Sequence, residues 1–412
     1  MKKVYITGIG TGHKDLMHPR AMSAIEGADC IIGAKRMIDD FSYLGKTSFI
    51  SINTEEIYSY ISNCTHEKYC VLVSGDTGFY SISKKLTELL SQSTEYYIEN
   101  IPAVSSLQYF CSKLNTSWDD KKIISAHGRS TNIISAVMFN RDTFLLTGGE
   151  FTPDSICRDM CRKSLGHLKV WVGGNLSYEN ERIVQYTAEI IAKMKFDGLS
   201  VMLICNPDAI DKDMSLRSIK DEEFITGNTP MTKSEVRTVS VGKMNLKGGS
   251  TVYDIGAGTG SVSIEAAMKL TEGTLYAIEK DKDACELIKR NIEKFKAYNI
   301  ELIEEIAPQG LEALPAPDSV FIGGSGGNLD EILKAVLAKN PYVNTVINAI
   351  ALESVNEALR CMEKYNFENV EITHISVSKA KKAGAYHMMM GQNPIYVISG
   401  KGCGQLRLKG EL

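Results

Sequence analysis

The chain has 412 residues, with a hydrophobic share of 43%, a charged share of 23% and a formal net charge of -4, which describes a folded protein with ample core and no cationic excess to draw it to nucleic acid. Its longest apolar runs fall far short of the roughly 20 residues that span a bilayer, and MKKVYITG contains no apolar signal-peptide region, so two or three domains, no membrane attachment and a cytoplasmic location are expected. Ten cysteines and seven histidines are dispersed without CxxC or HExxH spacing, which excludes a disulfide framework and leaves no protein-held metal to expect; Cys157 and Cys161, at four-residue spacing, read as a packed helix face.

From the amino end, KVYITGIG, DCIIGA and YCVLVSGD read as strands, and HPRAMSAIEGA, TEEIYSYISNCTHE and SISKKLTELLSQS as the helices between them. Such alternation builds a mostly parallel sheet with helices on both faces. The polar stretch NTSWDDKK interrupts it at 115–122, and KIISAHG, DTFLLTGG and KVWVGGNL then resume the pattern. Residues 1–205 are therefore expected to form two small α/β subdomains, 1–114 and 115–205. Over 206–222 the apolar periodicity lapses and charges of both signs dominate, the pattern of an exposed linker. Next comes TPMTKSEVRTVSVGKMNL, with Thr232 and Glu235 in capping-box spacing ahead of a helical stripe. Seven strands follow: STVYDIGAG, GTLYAIEK, IELIEEIA, DSVFIGG, TVINAI, VEITHISVS and NPIYVISG. Interleaved with helices, they predict a Rossmann-like doubly wound sheet over 223–412.

Two stretches carry the same device. VYITGIGTG at 4–12 and VYDIGAGTG at 252–260 each run an apolar strand into alternating glycines. A turn without Cβ atoms lets backbone approach a ligand, and the helix start that follows aims N–H groups at an anion. In the second copy the GxGxG spacing of Gly256, Ala257, Gly258, Thr259 and Gly260 suits a carboxylate-bearing nucleoside better than a pyrophosphate. Asp254, just before the turn, is placed to answer a cationic amine or sulfonium. Glu279 closes the next strand, where ribose hydroxyls lie in such a sheet. Together these describe an S-adenosylmethionine pocket; taken singly they read as a tight turn and solvated strand-end acids. The strand counts and the residues after each turn differ, so the two copies read as convergence and not as a repeat.

A further cluster, VFIGGSGGNLDEIL at 320–333, contains a literal GxSxG with Ser325 at its centre. It supports two readings: a loop bordering a methyl acceptor, with Gly324 and Ser325 at the substrate edge, or the nucleophile elbow of an α/β-hydrolase with His374 or His387 as base. A non-catalytic binding module is a third reading. SVSKAKKAGAYHMMMGQNP at 376–394 brings Lys379, Lys381 and Lys382 and no acid, a candidate loop to cover an anionic substrate. Lys233 and Arg237, one helical turn apart, are candidate carboxylate contacts.

TPMTKSEVR, VYDIGAGTGSVSIEAA, LYAIE, the alanine and proline of EIAPQG, and FIGGSGGNL resemble the decarboxylating C15-methyltransferases of corrin biosynthesis. ITGIGTGHKDLMHPRA, VSGDTGFYS, IPAVSSLQYFCSKLNTSWDD, SAHGR, LLTGGEFTPDSI and GGNLSYENERI resemble the tetrapyrrole methylases that act at C5. The whole is similar to the fused precorrin-6Y C5,15-methyltransferases. The resemblance implies a tetrapyrrole-methylase fold followed by a class I methyltransferase, and S-adenosylmethionine in two sites. One site would involve Thr232, Gly256 to Gly260, Glu279 and Ala307, the other Gly8, Gly10, Gly75, Asp76, Ser105 and Ser106. It also implies a polycarboxylate precorrin substrate, with or without cobalt, loss of carbon dioxide from an acetate, and assembly as a homo-oligomer. The family's usual prolines are replaced here by Thr11 and Thr77, and His13 after the first turn reads as exposed.

Overall fold

The computed structural model describes residues 1–126, 132–196, 198–215 and 217–404. They form two compact units, Met1–Arg129 with Asp142–Cys205, and Ser130–Arg141 with Asn206–Leu412.

In the first unit, strands β1 (Lys2–Gly8), β2 (Cys30–Gly33), β3 (Thr47–Ile50), β4 (Lys68–Val73) and β5 (Tyr96–Ile101) lie in the order β3-β2-β4-β1-β5, all parallel. Successive residues of β4 serve opposite faces. Cys70 and Leu72 pack with Ala21, Ala24 and Ile25 of the helix Pro19–Gly27; Tyr69, Val71 and Val73 pack with Ile57, Ile61, Leu86 and Leu90 of the helices Thr54–Asn63 and Ser83–Leu90. A central parallel strand covered on both sides must be apolar throughout, as this one is after Lys68.

The second sheet of this unit comprises β6 (Lys122–Ser125), β7 (Asp142–Leu146), β8 (Lys169–Gly174), β9 (Arg182–Thr187) and β10 (Ser200–Cys205), ordered β6-β7-β10-β8-β9. Only β6 and β7 pair in parallel; every other contact is antiparallel. The expected continuation of a mostly parallel pattern is corrected here, because the short stretch between β8 and β9 can only reverse the chain; a parallel return needs a longer crossover.

The second unit holds the seven-stranded sheet. Its strands β11 (Thr251–Ile255), β12 (Thr274–Ile278), β13 (Ile300–Ile303), β14 (Ser319–Ile322), β15 (Asn344–Ala349), β16 (Glu368–Ile375) and β19 (Ile395–Lys401) run β13-β12-β11-β14-β15-β19-β16. The first five are parallel, and β19 is antiparallel to both neighbours. All seven correspond to strands read from sequence. The core joins Tyr253, Ile255, Val320 and Ile322 to Ile332, Leu333 and Val336 of the helix Leu329–Lys339 and to Ala358, Cys361 and Met362 of the helix Leu352–Lys364.

The described residues of 206–222 are mostly exposed, anchored by the buried Asn206 and Ile219, and Arg217 pairs with Glu223 at 3.1 Å. Two expectations are corrected in this unit. Thr232 does not cap the helix Ser234–Lys243; Lys233 holds that position without a side-chain bond, and Asp221 Oδ1 accepts the Ser234 N–H at 2.9 Å from a distant turn. Residues 376–394 are not a loop but a hairpin, β17 (Ser378–Ala383) against β18 (Tyr386–Gly391), exposed on both faces.

Residues 133–139, counted by the sequence reading with the subdomain 115–205, form the helix Ile133–Phe139 of the second unit, where Ser135 through Phe139 are buried. The Asn132 N–H donates to the Glu272 carbonyl at 3.1 Å and its Nδ2 to Thr274 Oγ1 at 2.8 Å. Ser135 Oγ donates to the Leu270 carbonyl at 2.5 Å, and Asn206 Nδ2 to the Val137 carbonyl at 2.9 Å. Ser135→Ala removes a buried donor and should lower stability by about 1 kcal/mol. Chemical denaturation of the intact chain measures this, and an unchanged midpoint would show that the bond contributes nothing.

Candidate functional site

In the second unit the turn Gly256–Gly260 joins β11 to the helix Ser261–Ala267, every residue of which is buried. Gly256 has φ +69°, and a Cβ there would lie 2.5 Å from the Gly324 carbonyl oxygen and 2.8 Å from its nitrogen. Only glycine lets the loop after β14 lie so close to the turn after β11. The Gly324–Ser325 loop is thereby held beside the glycine turn. Asn328 Nδ2 donates to the Ala307 carbonyl at 3.2 Å, which joins Ala307 to the same edge. On the other side, the Pro230 carbonyl and the Thr229 methyl lie 3.4 and 3.7 Å from where a Gly258 Cβ would stand, so the segment leading to Thr232 flanks the turn.

Glu279 is engaged by backbone. Its Oε2 accepts the Gly258 N–H at 2.8 Å, and its Oε1 accepts those of Lys280 and Asp281 at 2.8 and 2.9 Å. The acid read as a ribose contact therefore also sets the shape of the turn. Ala257 donates to the Ile278 carbonyl at 3.2 Å. The buried Thr259 hydroxyl has no partner.

Asp254 corrects an expectation. It is 1% exposed, enclosed beneath the turn, and Oδ2 accepts from Ser263 Oγ at 2.5 Å while the buried Oδ1 has no partner. Burial pushes its pKa up to about 7, the Ser263 bond opposes the shift, and the charge of Glu279 adds to it. An enclosed carboxyl of this kind ties strand to helix and is not a surface counter-charge for a sulfonium.

Arg237 is also corrected. The guanidinium is fully buried, donating to Glu265 Oε2 at 2.7 Å, to Asp221 Oδ1 at 3.2 Å, to the Thr232 carbonyl at 2.7 Å and to the Ile219 carbonyl, over the Phe224 ring. It organises the segment before the helix and meets no substrate. Lys233 is exposed. Lys379 pairs with Glu235 at 2.9 Å, while Lys381 and Lys382 stand exposed on the hairpin opposite Met388 and His387. The hydrolase reading lacks its base: the His374 ring packs tilted against Tyr396 with centroids 4.6 Å apart and His387 sits on β18, and neither bonds to Ser325.

The first unit contains a cleft of about 430 Å³ lined by Gly10, Thr11, Gly75 and Ser106 among others. Gly10 and Gly75 exchange backbone bonds at 3.2 and 2.8 Å. Gly8, Asp76 and Ser105 are not among the residues lining it. A Cβ on Gly8 would meet the Gly75 carbonyl at 2.8 Å and the Ala103 Cβ at 2.9 Å. Asp76 accepts the N–H groups of Gly78 at 2.8 Å and Ala103 at 2.9 Å, and Ser105 caps the helix Ser106–Lys113 in a reciprocal box with Gln108. The buried Thr11 hydroxyl has no partner. His13 is exposed, its ring accepting the Asp15 N–H at 3.3 Å. Of the SAHGR stretch, residues 127–129 lie outside the described residues. The sequence reading missed Arg36, Thr147, Asn175, Tyr178 and Ser200, which line the same cleft, Arg36 from a short helix and the others from strand ends and loops, with no glycine spacing to mark them.

Among the described residues, no group of three or more His, Cys, Asp or Glu could hold a metal ion, and no helix is long and apolar enough to cross a membrane.

Residues 223–400 match the family model of the precorrin methyltransferase domain, and residues 3–192 that of the tetrapyrrole (corrin/porphyrin) methylases. Proteins of Sulfurisphaera tokodaii and Saccharolobus solfataricus, each named probable cobalt-precorrin-6B C(15)-methyltransferase (decarboxylating), are both 41% identical to the chain. The matches run over 192 and 188 residues, 46% and 44% of this chain and 99% and 91% of theirs. The solved structure of precorrin-6Y C5,15-methyltransferase from Geobacter metallireducens is 39% identical, covering 45% of this chain and 96% of its own, with a TM-score of 0.43.

Replacing Arg237 by Ala would leave Glu265 buried and unpaired, at a cost of about 3 to 5 kcal/mol. Lys379→Ala breaks an exposed pair and should cost less than about 1 kcal/mol; equal losses in denaturation would refute the distinction. For Asp254, the native value lies above the ordinary 3.8. The folded chain thus retains a proton that the unfolded chain loses, and stability falls as pH rises from 3.8 to about 7, then levels. Asp254→Asn removes this dependence, so the melting temperature of the variant relative to the parent should climb across that window. A constant difference would discount burial as the cause.

Proposed function

The chain belongs to the precorrin methyltransferases, and from that membership we propose that its two halves are two S-adenosylmethionine-dependent C-methyltransferases serving one corrin precursor of cobalamin biosynthesis. In this reading residues 1–205 methylate C5. Residues 223–412 methylate C15 and release the C12 acetate carboxyl as carbon dioxide. The substrate is precorrin-6B or its cobalt-bearing counterpart. One observation carries the proposal: in both halves a glycine-lined turn lies at the carboxyl edge of a parallel sheet against a second loop, too close for any side chain.

The residues present fit a donor in each half. In the second unit, Gly256, Gly258 and Gly260 offer backbone without Cβ hindrance, and the unpartnered Thr259 hydroxyl marks polar capacity inside the turn. Glu279, Thr232 and Ala307 border it. In the first, Gly10, Gly75 and Ser106 line the cleft and the Thr11 hydroxyl is likewise unpartnered. S-adenosylmethionine, when bound, supplies a methyl already activated by its sulfonium leaving group. What the chain must then do is align acceptor with donor and exclude water, an entropic contribution that reaches about 7 to 11 kcal/mol in favourable cases.

That demand explains a site with few titratable groups. The Gly324–Ser325 loop, pressed against the donor turn, borders the acceptor ring, and Lys381 and Lys382 on the exposed hairpin offer cations to its carboxylates. Cytoplasmic location and assembly with further copies complete the reading.

Labelled donor with metal-free or cobalt-bearing ring substrate tests the proposal. The parent should transfer two methyl groups and evolve one carbon dioxide per ring. Gly256→Val should abolish carbon dioxide release and reduce the calorimetric stoichiometry for demethylated donor from two to one; Gly10→Val should lower the stoichiometry alike but keep carbon dioxide release. Failure of the parent to bind demethylated donor would overturn the reading.

A further inference from the structure

We infer that Arg36 is the carboxylate anchor of the amino-half cleft and that Tyr178 is the positioning residue that holds it ready. The inference rests on the reading of that cleft as a methyl-transfer site and names the side chain that recognises the ring.

Arg36 is the one charged side chain among the described residues that line the cleft; the rest are glycine, hydroxyl, amide and apolar groups. Its helix, Lys35–Asp39, begins directly after β2. Tyr178 lies in the β8–β9 stretch and crosses to meet it: Arg36 Nη1 donates to the Tyr178 hydroxyl at 2.9 Å, and the guanidinium lies 5.8 Å from the ring centroid. The ring is fixed from behind by the glycine turn. A Cβ on Gly12 would come within 2.4 Å of it, and Gly12 has φ +126°. Ser177 Oγ accepts the His13 N–H at 3.2 Å and pins the same loop.

The charge of Arg36 is not spent inside the protein. Glu179, next to Tyr178, is exposed and forms no pair with Arg36, and Glu181, two residues on, is committed elsewhere: it accepts from the Tyr109 hydroxyl at 2.7 Å and the Ser177 N–H at 2.7 Å, and pairs with Lys113 at 3.0 Å. Arg20, the other arginine of this subdomain, is bidentate to Glu99. Arg36 contacts only a neutral hydroxyl and a ring face. A guanidinium has five N–H donors in a planar fork, and one bond to tyrosine leaves an edge for a bidentate carboxylate. Phe79, Leu146, Leu176 and Val201 give the same cleft apolar walls, suited to a flat macrocycle whose acid side chains project from its rim.

A carboxylate could come from the ring or from the amino-acid part of the methyl donor, and the test separates them. C5 methylation by Arg36→Ala, Arg36→Lys and Tyr178→Phe is followed with the free-acid ring and with its methyl ester, and calorimetry gives the affinity for demethylated donor. Arg36→Ala should raise KM for the free-acid ring about tenfold or more and leave kcat and donor-product affinity within about twofold. Arg36→Lys should recover part of the loss, and Tyr178→Phe should show a smaller rise. The parent's preference for free acid over ester should vanish in Arg36→Ala, while carbon dioxide release by the other half attests the substrate and the fold. An unchanged KM in Arg36→Ala, a persisting preference over ester, or a parallel fall in donor-product affinity overturns the assignment alone. A parent that makes no C5-methylated product overturns the underlying reading with it.

Discussion

Backbone lying directly against backbone is the constraint on which both halves are built. At the carboxyl ends of the adjacent parallel strands β11 and β14, the turn at Gly256 and the loop at Gly324 approach within the volume of one methyl group. At the ends of β1 and β4, Gly8 and Gly75 do the same. Neighbouring parallel strands end side by side, so the loops that leave them compete for the same space, and removing Cβ atoms is what lets both persist. The consequence is chemical. Loops this close spend most of their backbone N–H groups on one another and on neighbouring strands and leave little room for catalytic side chains, which suits a reaction governed by alignment.

Charge is handled differently inside and outside this frame. In the second unit, the buried acid Glu265 is matched by Arg237 at 2.7 Å, and Asp254 answers burial by holding its proton more tightly. Both solutions avoid an uncompensated ion in a poorly solvated interior. The outward cations follow no such rule: Lys381 and Lys382 stand on a hairpin exposed on both faces. In the first unit, Arg36 is exposed at the cleft wall and bonded to a neutral hydroxyl, without an acid.

What the sequence disclosed follows from how local each signal is. The seven strands of the second sheet and both glycine turns are written in consecutive residues, because period and glycine spacing act over a few positions. Arg237 shows the limit. It lies one turn from Lys233 and reads as its partner in a surface pair, yet its burial depends on Glu265, Asp221 and Ile219, which reach it through the tertiary fold. Arg36 and Tyr178 are far apart in the chain and meet only in the folded cleft. The hairpin β17–β18 escaped because both faces are exposed, so no apolar alternation betrays its strands.

The helix Ile133–Phe139 gives the chain an unusual itinerary. The polypeptide enters the second unit, returns to complete the first, and enters the second again. A gene cut once after Cys205 would therefore leave a buried piece of the downstream unit on the upstream fragment. Genetic exchange of one enzyme half for a homologue is constrained likewise: the incoming half must accept a helix encoded by the other, so the fusion resists being undone once its buried contacts have adapted.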